Sequence, residues 1–321
     1  MTIFPLRLIP ATPNIDFMRL RWVSVLVSLA LTIGSIAAIA GIGFNYALDF
    51  TGGTVVELRF QQAADVDGVR ERLEAAGYAS AQVQTYGSGS DLLVRLQPRD
   101  GETSADANAR TAEEVRAAAS AEGNQATIQS NAFVGPQVGR ELAWNGLYAL
   151  LFVVVGFLIY IGFRFEWKFA VAAIVTTLND VLIVAGFFAL TGREFDLTVL
   201  AGLLSVMGFS INDTIVVFDR VRENFRSMRA PPHEVLNASI NQTLSRTIIT
   251  SVAAFLTVFA LYLYGGGSLQ GMSSAMMIGI VFGTLSSIFA ACPLLTMGFL
   301  KVTKQDLLPK ARDDAELARR P

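Results

Sequence analysis

The sequence is poor in the residues from which metal sites and disulfides are built. Among its 321 residues are one cysteine, Cys292, and one histidine, His233. A single cysteine excludes an internal disulfide, and these two residues are too few soft ligands for a zinc or iron-sulfur site. The chain also lacks a G-x-x-x-x-G-K-[ST] loop and a strand-associated G-x-G-x-x-G motif. We therefore expect neither nucleotide hydrolysis nor any other enzyme activity, and we expect no cofactor.

Charged residues are also scarce. They make up 16% of the chain against 52% hydrophobic residues, and the mean hydropathy is +0.47. This balance is typical of membrane proteins rather than of soluble ones. Six apolar runs are long enough to cross a bilayer. We predict membrane helices over residues 22–42, 142–163, 169–190, 197–218, 244–264 and 272–300.

The first apolar run could also be a signal peptide, because Ala38-Ile39-Ala40 imitates a small-x-small cleavage site. The apolar core of a signal peptide is only about 7–15 residues long, and this run is longer. We therefore predict that it is a retained membrane helix.

Lysine and arginine are distributed unevenly between the two sides of the predicted helices. The segments on the side of the N-terminus carry many of them, and the short loops on the other side carry only Arg193. This asymmetry predicts that both termini lie in the cytoplasm and that residues 43–141 lie outside it. The predicted cytoplasmic segments are the N-terminal arm 1–21, an amphipathic connection 219–243 and the tail 301–321.

Residues 55–133 have the composition of a soluble domain. Alternating and helical apolar spacings can be recognised in turn along this segment, with a Gly-Ser turn between the second and third strands. The predicted order, β-α-β-β-α-β, is that of the ferredoxin-like fold. The sequence thus predicts a polytopic α-helical membrane protein with one α+β ferredoxin-like periplasmic domain. The predicted elements are strand 55–60, helix 66–76, strand 81–86, turn 87–90, strand 92–97, helix 105–121 and strand 125–130.

An aspartate lies inside the fourth apolar run. Asp213 is the only ionisable residue between Leu197 and Val217. A carboxylate in a bilayer costs several kcal/mol unless it is paired, protonated or hydrated, so an intramembrane aspartate is a candidate functional residue. The alternative is a structural aspartate that is hydrogen-bonded between helices. Asn212 lies ~100° around the same helix, which gives the helix two adjacent polar stripes.

The fifth apolar run offers a partner for Asp213. Arg246 stands in the segment T-L-S-R-T-I-I-T-S. At 1.5 Å per residue Asp213 lies ~13 Å and Arg246 ~5 Å from the inner boundary of the membrane, and an arginine side chain closes most of that gap. The alternative is an arginine that reaches to the interface at the end of its helix. A carboxylate near an arginine can act as a proton switch, because burial disfavours its charged form and the arginine favours it.

Two weaker candidates lie in other helices. Leu178-Asn179-Asp180 resembles Ile211-Asn212-Asp213, so Asp180 is either a second proton site or a packing and hydrogen-bonding partner. Gly279 and Gly283, continued by Ser287, form a face of small residues that predicts close helix packing.

Three motifs carry a family resemblance. Asp49 to Thr54 reads D-F-T-G-G-T, Ser210 to Asn224 reads S-I-N-D-T-I-V-V-F-D-R-V-R-E-N, and Thr243 to Ser251 reads T-L-S-R-T-I-I-T-S. Together they resemble the SecF branch of the SecD/SecF family of protein-export membrane proteins, in the resistance-nodulation-division superfamily. The resemblance covers nearly the whole chain, from the first helix to the sixth.

The resemblance implies a role for each matching residue. Asp213 and Arg246 would belong to a proton relay, with Asn212 beside them, and Asp49, Gly52 and Gly53 would form the loop that joins the first helix to the external domain. The implied location is the bacterial inner membrane, and the implied energy source is the proton-motive force. The implied partners are SecD, SecYEG, YajC, a translocating preprotein and membrane lipid. Two alternatives stay open, a scaffold that conducts no protons and half of a proton-driven exporter of small molecules or lipids.

Overall fold

The computed structural model describes residues 13–79, 81–86, 89–96, 105–121 and 123–303. The predicted cytoplasmic tail beyond 303, most of the N-terminal arm and part of the predicted turn at 87–90 lie outside these residues. Within them, six helices are long and apolar enough to cross a membrane, which confirms the predicted number. They are α1 (Arg21–Gly41), α5 (Pro136–Arg164), α6 (Trp167–Thr191), α7 (Leu197–Ser227), α8 (Pro232–Tyr264) and α9 (Gly267–Ser286).

A small α/β domain stands between α1 and α5. Its elements follow one another as β2 (Gly53–Phe60), α3 (Val66–Ala75), β3 (Gln82–Tyr86), β4 (Asp91–Leu96), α4 (Ala105–Ala119) and β5 (Ala126–Val134). The strands form one antiparallel sheet in the order β3-β4-β2-β5. Apolar residues alternate along β2 and β4, so one face of the sheet is buried. That face packs on both helices around Val56, Leu58, Leu73 and Val115.

A second, smaller sheet was not predicted. Asn45–Tyr46 (β1) pairs in parallel with Glu194–Phe195 (β6), so the described chain has two sheets and not one. Four residues show no alternation that a sequence pattern could reveal, and the two segments stand nearly 150 positions apart. A short helix, α2 (Leu48–Thr51), separates β1 from β2. The small sheet ties the link between α6 and α7 to the segment that enters the domain.

The predicted amphipathic connection 219–243 is almost entirely continuous with its neighbouring helices. Helix α7 continues to Ser227 and α8 starts at Pro232, so only four residues separate them. Apolar runs mark the part of a helix that lies in lipid, and a polar helix can extend beyond the membrane. The same reason explains why α5 begins at Pro136, before the predicted start at residue 142. Proline suits the first turn of a helix, where its missing N–H is not needed.

The last membrane helix changes its winding near its end. Helix α9 passes into a π-helical segment, Ser287–Ala291, and then into α10 (Cys292–Leu294). Pro293 follows this segment and is the predicted cause of a kink. A π-helical turn rotates the side chains that precede it relative to those that follow.

The six membrane helices form an inner and an outer group. Helices α6, α7 and α9 are half or more buried over their apolar windows, whereas α1, α5 and α8 are less than one fifth buried. Gly279 of α9 meets Val206 of α7 so closely that an added Cβ would overlap the valine side chain. The predicted small-residue face therefore joins two helices of the inner group.

Candidate functional site

Asp213 lies where α7, α8 and the end of α9 meet. Its side chain is buried and accepts two hydrogen bonds from hydroxyl groups. Thr247 Oγ1 of α8 donates to Asp213 Oδ1 at 2.9 Å. Ser287 Oγ, in the first residue of the π-helical segment, donates to Oδ2. Hydrogen bonds to both carboxylate oxygens offset part of the cost of removing this group from water.

Arg246 does not contact Asp213. The arginine precedes Thr247, is exposed, and acts on the Asp213 carboxylate through its charge. Within the part of the chain that the structure describes, no carboxylate lies within 4.0 Å of its guanidinium. The two residues of the predicted relay are therefore neighbours separated by a gap, and hydroxyl groups occupy the direct contacts.

Asn212 and Arg246 lie on one side of the α7–α8 pair. The two helices are antiparallel and meet through Asp213 and Thr247, so the residue that precedes each of these points to the same side. Both are exposed, and among the described residues Asn212 makes no hydrogen bond through its side chain. We call the exposed polar residues of this side the polar membrane face. They are Ser205, Asn212, Gln242, Arg246 and Thr250.

Asp180 is the other buried carboxylate of the membrane region. It projects from α6, is fully buried, and accepts a hydrogen bond of 2.6 Å from Ser210 Oγ of α7. The predicted role as a hydrogen-bonding partner between helices therefore has a geometric basis. Ser210 precedes Asp213 by one helical turn, so the two carboxylates border the same stretch of α7.

Sequence reasoning missed the residues that donate hydrogen bonds to Asp213. Thr247 belongs to the motif around Arg246, but only the arginine was assigned a role there. Ser287 was assigned only to helix packing, and the structure adds a hydrogen bond to Asp213. The signal that could have found them is the recurrence of small hydroxyl residues in α8 and α9, at the depth of the aspartate.

The loop motif joins the domain to the membrane helices. Asp49 Oδ2 accepts a hydrogen bond of 3.2 Å from the backbone N–H of Leu197, the first residue of α7. Gly53 has φ +139°, and a Cβ there would overlap the Leu96 carbonyl oxygen. Only glycine fits such a conformation and such an approach. The helix that carries Asp213 is thus bonded at its first residue to the entrance of the domain.

A charged cluster reinforces this junction. Arg95 of β4 forms an ion pair with Glu194 of β6, and both side chains are about four-fifths buried. Burial lowers the pKa of Arg95, while the charges of Asp196 and Asp49 oppose that shift. Asp196 also caps α7, because its Oδ1 accepts a hydrogen bond from the Val199 N–H at 2.7 Å. These charged residues therefore interact with one another where the domain sheet, the α6–α7 link and the start of α7 meet.

Comparisons with protein families match two parts of this chain. Residues 114–300 match the family model described as protein export membrane protein SecD/SecF, C-terminal. Residues 37–64 match the SecD/SecF GG motif, which contains the loop motif described above. The first match covers α5 to α9 and with them Asp180, Asp213 and Arg246.

Individual proteins are similar over nearly the whole chain. The protein translocase subunit SecF of Pseudomonas aeruginosa is 44% identical over 302 residues, which are 94% of this chain and 96% of that protein. The SecF subunit of Escherichia coli O157:H7 is 42% identical over 87% of this chain and 86% of that protein.

A solved structure is similar as well. The crystal structure of SecDF, a translocon-associated membrane protein from Thermus thermophilus, superimposes with a TM-score of 0.79 at 37% identity. The match covers 91% of this chain, which spans only 39% of the length of that protein. The chain therefore belongs to the SecD/SecF family of protein-export membrane proteins, and within it to the SecF subunits of the protein translocase.

Proposed function

We propose that this subunit works with SecD to couple proton movement across the membrane to the export of secretory proteins. The observation that carries the proposal is the position of Asp213. It is a buried carboxylate between three helices, it is close to an arginine, and it stands on the helix whose first residue is bonded to the α/β domain. Asp213 and Arg246 form the relay, and Asn212 belongs to the same surface.

Proton binding changes what Asp213 can hold together. As a carboxylate it accepts hydrogen bonds from Thr247 and Ser287 and attracts Arg246. As a carboxylic acid it has an O–H group that needs a hydrogen-bond acceptor, and it no longer attracts the arginine. The packing of α7 against α8 and α9 therefore depends on the proton. A proton that crosses the membrane releases about 2.3 kcal/mol per 100 mV, which such a coupling can convert into movement.

The movement has a direct path to the domain. Leu197 and Asp213 are sixteen residues apart on one helix, which is about 24 Å at 1.5 Å per residue. A shift or tilt of α7 at Asp213 reaches the Asp49 hydrogen bond, the β1–β6 sheet and the Arg95–Glu194 pair. We propose that these contacts transmit the change to the domain, which acts on the exported chain.

The polar membrane face is the surface we assign to SecD. Polar side chains at the surface of membrane helices are costly in lipid and usually face other helices or water. A face with Asn212 and Arg246 at its centre favours a partner that brings polar or acidic groups of its own. SecYEG and YajC are further partners that the family implies, and the preprotein is the substrate.

The proposed topology places both termini in the cytoplasm of a bacterium and the domain in the periplasm. The distribution of lysine and arginine supports this orientation in the inner membrane. We also assign the domain to the ferredoxin-like fold. When the four strands of the domain are numbered 1 to 4 along the chain, their order in the sheet is 2-3-1-4. Helix α3 connects the first strand to the second, and helix α4 connects the third to the fourth, as in the ferredoxin-like fold.

The test replaces Asp213 by asparagine in the complex with SecD. Export of a secretory protein into inverted membrane vesicles is measured with and without a proton gradient. D213N removes the proton-binding group and keeps the shape of the side chain, so we expect stimulation by the gradient to fall about tenfold or more, an effect on the order of 1.4 kcal/mol. D219N makes the same chemical change on the same helix outside the apolar run, and it should retain the stimulation.

The proposal has two clear points of failure. If the gradient stimulates the D213N complex as strongly as the unaltered complex, Asp213 conducts no proton and the chain acts as a scaffold. If SecD does not purify together with this chain from membranes, the assignment of the polar membrane face is wrong.

A further inference from the structure

Asp180 is a buried carboxylate to which the mechanism above gives no role. It is fully buried on α6, and its Oδ2 accepts the 2.6 Å hydrogen bond from Ser210. The neighbouring Asn179 side chain reaches Oδ1 at 3.4 Å. The Ser286 hydroxyl lies beside the same carboxylate, without a hydrogen bond in the described structure. Asp180 thus resembles Asp213 in having hydroxyl groups of neighbouring helices around its carboxyl group.

No positive charge faces Asp180 from the helices packed against it. Helix α1 has no charged residue from Trp22 to Gly41, and α9 with its continuation has none from Gly267 to Leu300. Helix α7 contributes one charged residue between Leu197 and Phe218, and that residue is Asp213. The one charged group that these stretches carry is therefore the relay carboxylate itself. Two carboxylates near each other in a membrane interact through their protons, because like charges disfavour simultaneous ionisation.

Two helices, α7 and α9 with its continuation, contribute to both carboxylate sites. On α7, Ser210 bonds Asp180 and lies one turn before Asp213. On α9 and its continuation, Ser286 lies beside Asp180 and the next residue, Ser287, bonds Asp213. Asp180 stands at the level of Ser210, about 4.5 Å nearer to the end of α7 that adjoins the domain. Any shift of α7 against α9 changes both sites at once.

Buried hydroxyl groups continue from Asp180 toward the depth of Asp213. Thr177 lies one turn before Asp180 on α6, and Thr214 lies one turn after Ser210 on α7. Both residues are buried, and their hydroxyl groups have no hydrogen-bond partner in the described structure. A hydroxyl can accept one proton and release another, so such groups can pass a proton between two carboxylates. The α6–α7 contact is therefore polar at the depth where the remainder of both helices is apolar.

We propose that Asp180 is a second proton-binding carboxylate of the relay, placed on the domain side of Asp213. The inference rests on the proposed function. Asp180 takes up a proton to become a carboxylic acid and then gives it, through intervening hydroxyl groups, to the Asp213 carboxylate. Each hydroxyl gains one proton and loses one, so the net change is the transfer of a single proton from Asp180 to Asp213.

The first test observes the proton directly. Infrared difference spectra of the purified complex with SecD are recorded in lipid over a range of pH, and the C=O stretch of protonated carboxylic acids is followed. We expect a pH-dependent band that is absent in D180N and present, with a shifted pH dependence, in D213N. The S210A variant should alter this band. The matched variant S227A, on the same helix, should not, because the Ser227 hydroxyl is exposed and bonds its own helix backbone.

The second test is export driven by the proton gradient, measured as for D213N. We expect D180N to reduce stimulation by the gradient about tenfold while SecD still purifies with the chain. The inference is overturned if D180N leaves the infrared spectra unchanged at every pH, whatever happens to export, because the carboxyl then binds no proton in this range. It is also overturned if D213N abolishes stimulation and D180N does not. If D213N itself leaves stimulation intact, it is the proposed function that fails.

Discussion

Asp213 and Asp180 are two buried carboxylates with similar hydrogen-bond donors and different electrostatic surroundings. Each accepts a hydrogen bond from a hydroxyl group of a neighbouring helix, Thr247 and Ser287 for Asp213 and Ser210 for Asp180. Only Asp213 also adjoins α8, from which Arg246 acts on it. Asp180 lies among α1, α6, α7 and α9, whose apolar stretches bring no positive charge to it.

Hydroxyl groups and an arginine have different effects on a buried carboxyl group. Hydroxyl groups make burial of either carboxyl tolerable, because they can bond its charged and its neutral form. An arginine distinguishes the two forms, because it attracts only the charged one. We therefore expect proton binding at Asp213 to depend on conformation, because a movement of α8 can bring Arg246 nearer to the carboxyl group or take it farther away. Asp180 depends on its hydroxyl neighbours and on Asp213.

The largest effect that would test this comparison is expected from Arg246. R246Q removes the charge and keeps a hydrogen-bonding side chain of moderate length. We expect gradient-stimulated export to fall about tenfold, and R246K, which keeps the charge without the planar guanidinium, to retain an intermediate level. Infrared spectra should show a changed pH dependence for the Asp213 band, and a much smaller change for the Asp180 band. Equal changes in both bands would show that the arginine serves the two carboxylates alike.

A second effect should reach both carboxylates equally. G279A places a methyl group against Val206 at the α7–α9 contact, where it overlaps the valine side chain. Such overpacking costs about 1–3 kcal/mol, more than the gain of about 1 kcal/mol in helix propensity from glycine to alanine. We expect a lower midpoint of thermal unfolding in detergent, and altered infrared bands for both Asp213 and Asp180.

The matched control lies in the outer group of helices. Gly156 of α5 is exposed, and a Cβ added to it would meet no atom within 4 Å. G156A should therefore leave the unfolding midpoint unchanged or raise it slightly, and leave both bands as they are. A loss of stability in G156A as large as that in G279A would mean that the α7–α9 contact is not special.

The sequence was informative wherever a pattern extends over many residues. Six apolar runs predicted six membrane helices, and the rarity of carboxylates within those runs was enough to mark Asp213 and Asp180 as candidates. The family resemblance was confirmed by proteins of 37–44% identity. Orientation, partners and the roles of Asp213, Arg246 and Asn212 stay predictions, since they concern a membrane and other chains.

The contacts that the sequence did not predict depend on how a helix is rotated against its neighbours and on pairing between distant segments. Ser287 lies where α9 passes into the π-helical segment, and apolar spacing specifies neither that change of winding nor the hydrogen bond from Ser287 to Asp213. The β1–β6 pairing joins four residues from distant segments, and the Arg95–Glu194 pair depends on where the domain rests. Local patterns contain no information about these contacts, because they arise only when the elements pack.

The smallest effect is expected at the Arg95–Glu194 pair, which tests how the link between the two carboxylate-bearing helices is fixed. Glu194 follows α6 and precedes α7, so the pair ties both helices to the domain sheet. In a double-mutant cycle of R95A, E194A and the double variant, we expect a coupling of about 1 kcal/mol in unfolding free energy, since the pair is largely buried but still partly hydrated.

The Arg59–Asp91 pair on the same sheet provides the control for that cycle, and its coupling should be smaller because the Arg59 side chain is more than half exposed and water screens its charge. If the Arg95–Glu194 pair also transmits movement, R95A should reduce gradient-stimulated export more than R59A does, although neither residue touches the relay. Equal export by R95A and R59A, together with a measurable coupling, would restrict the pair to stability. The transmission would then rest on the bond from Leu197 to Asp49 and on the β1–β6 sheet, which hold α7 by its backbone.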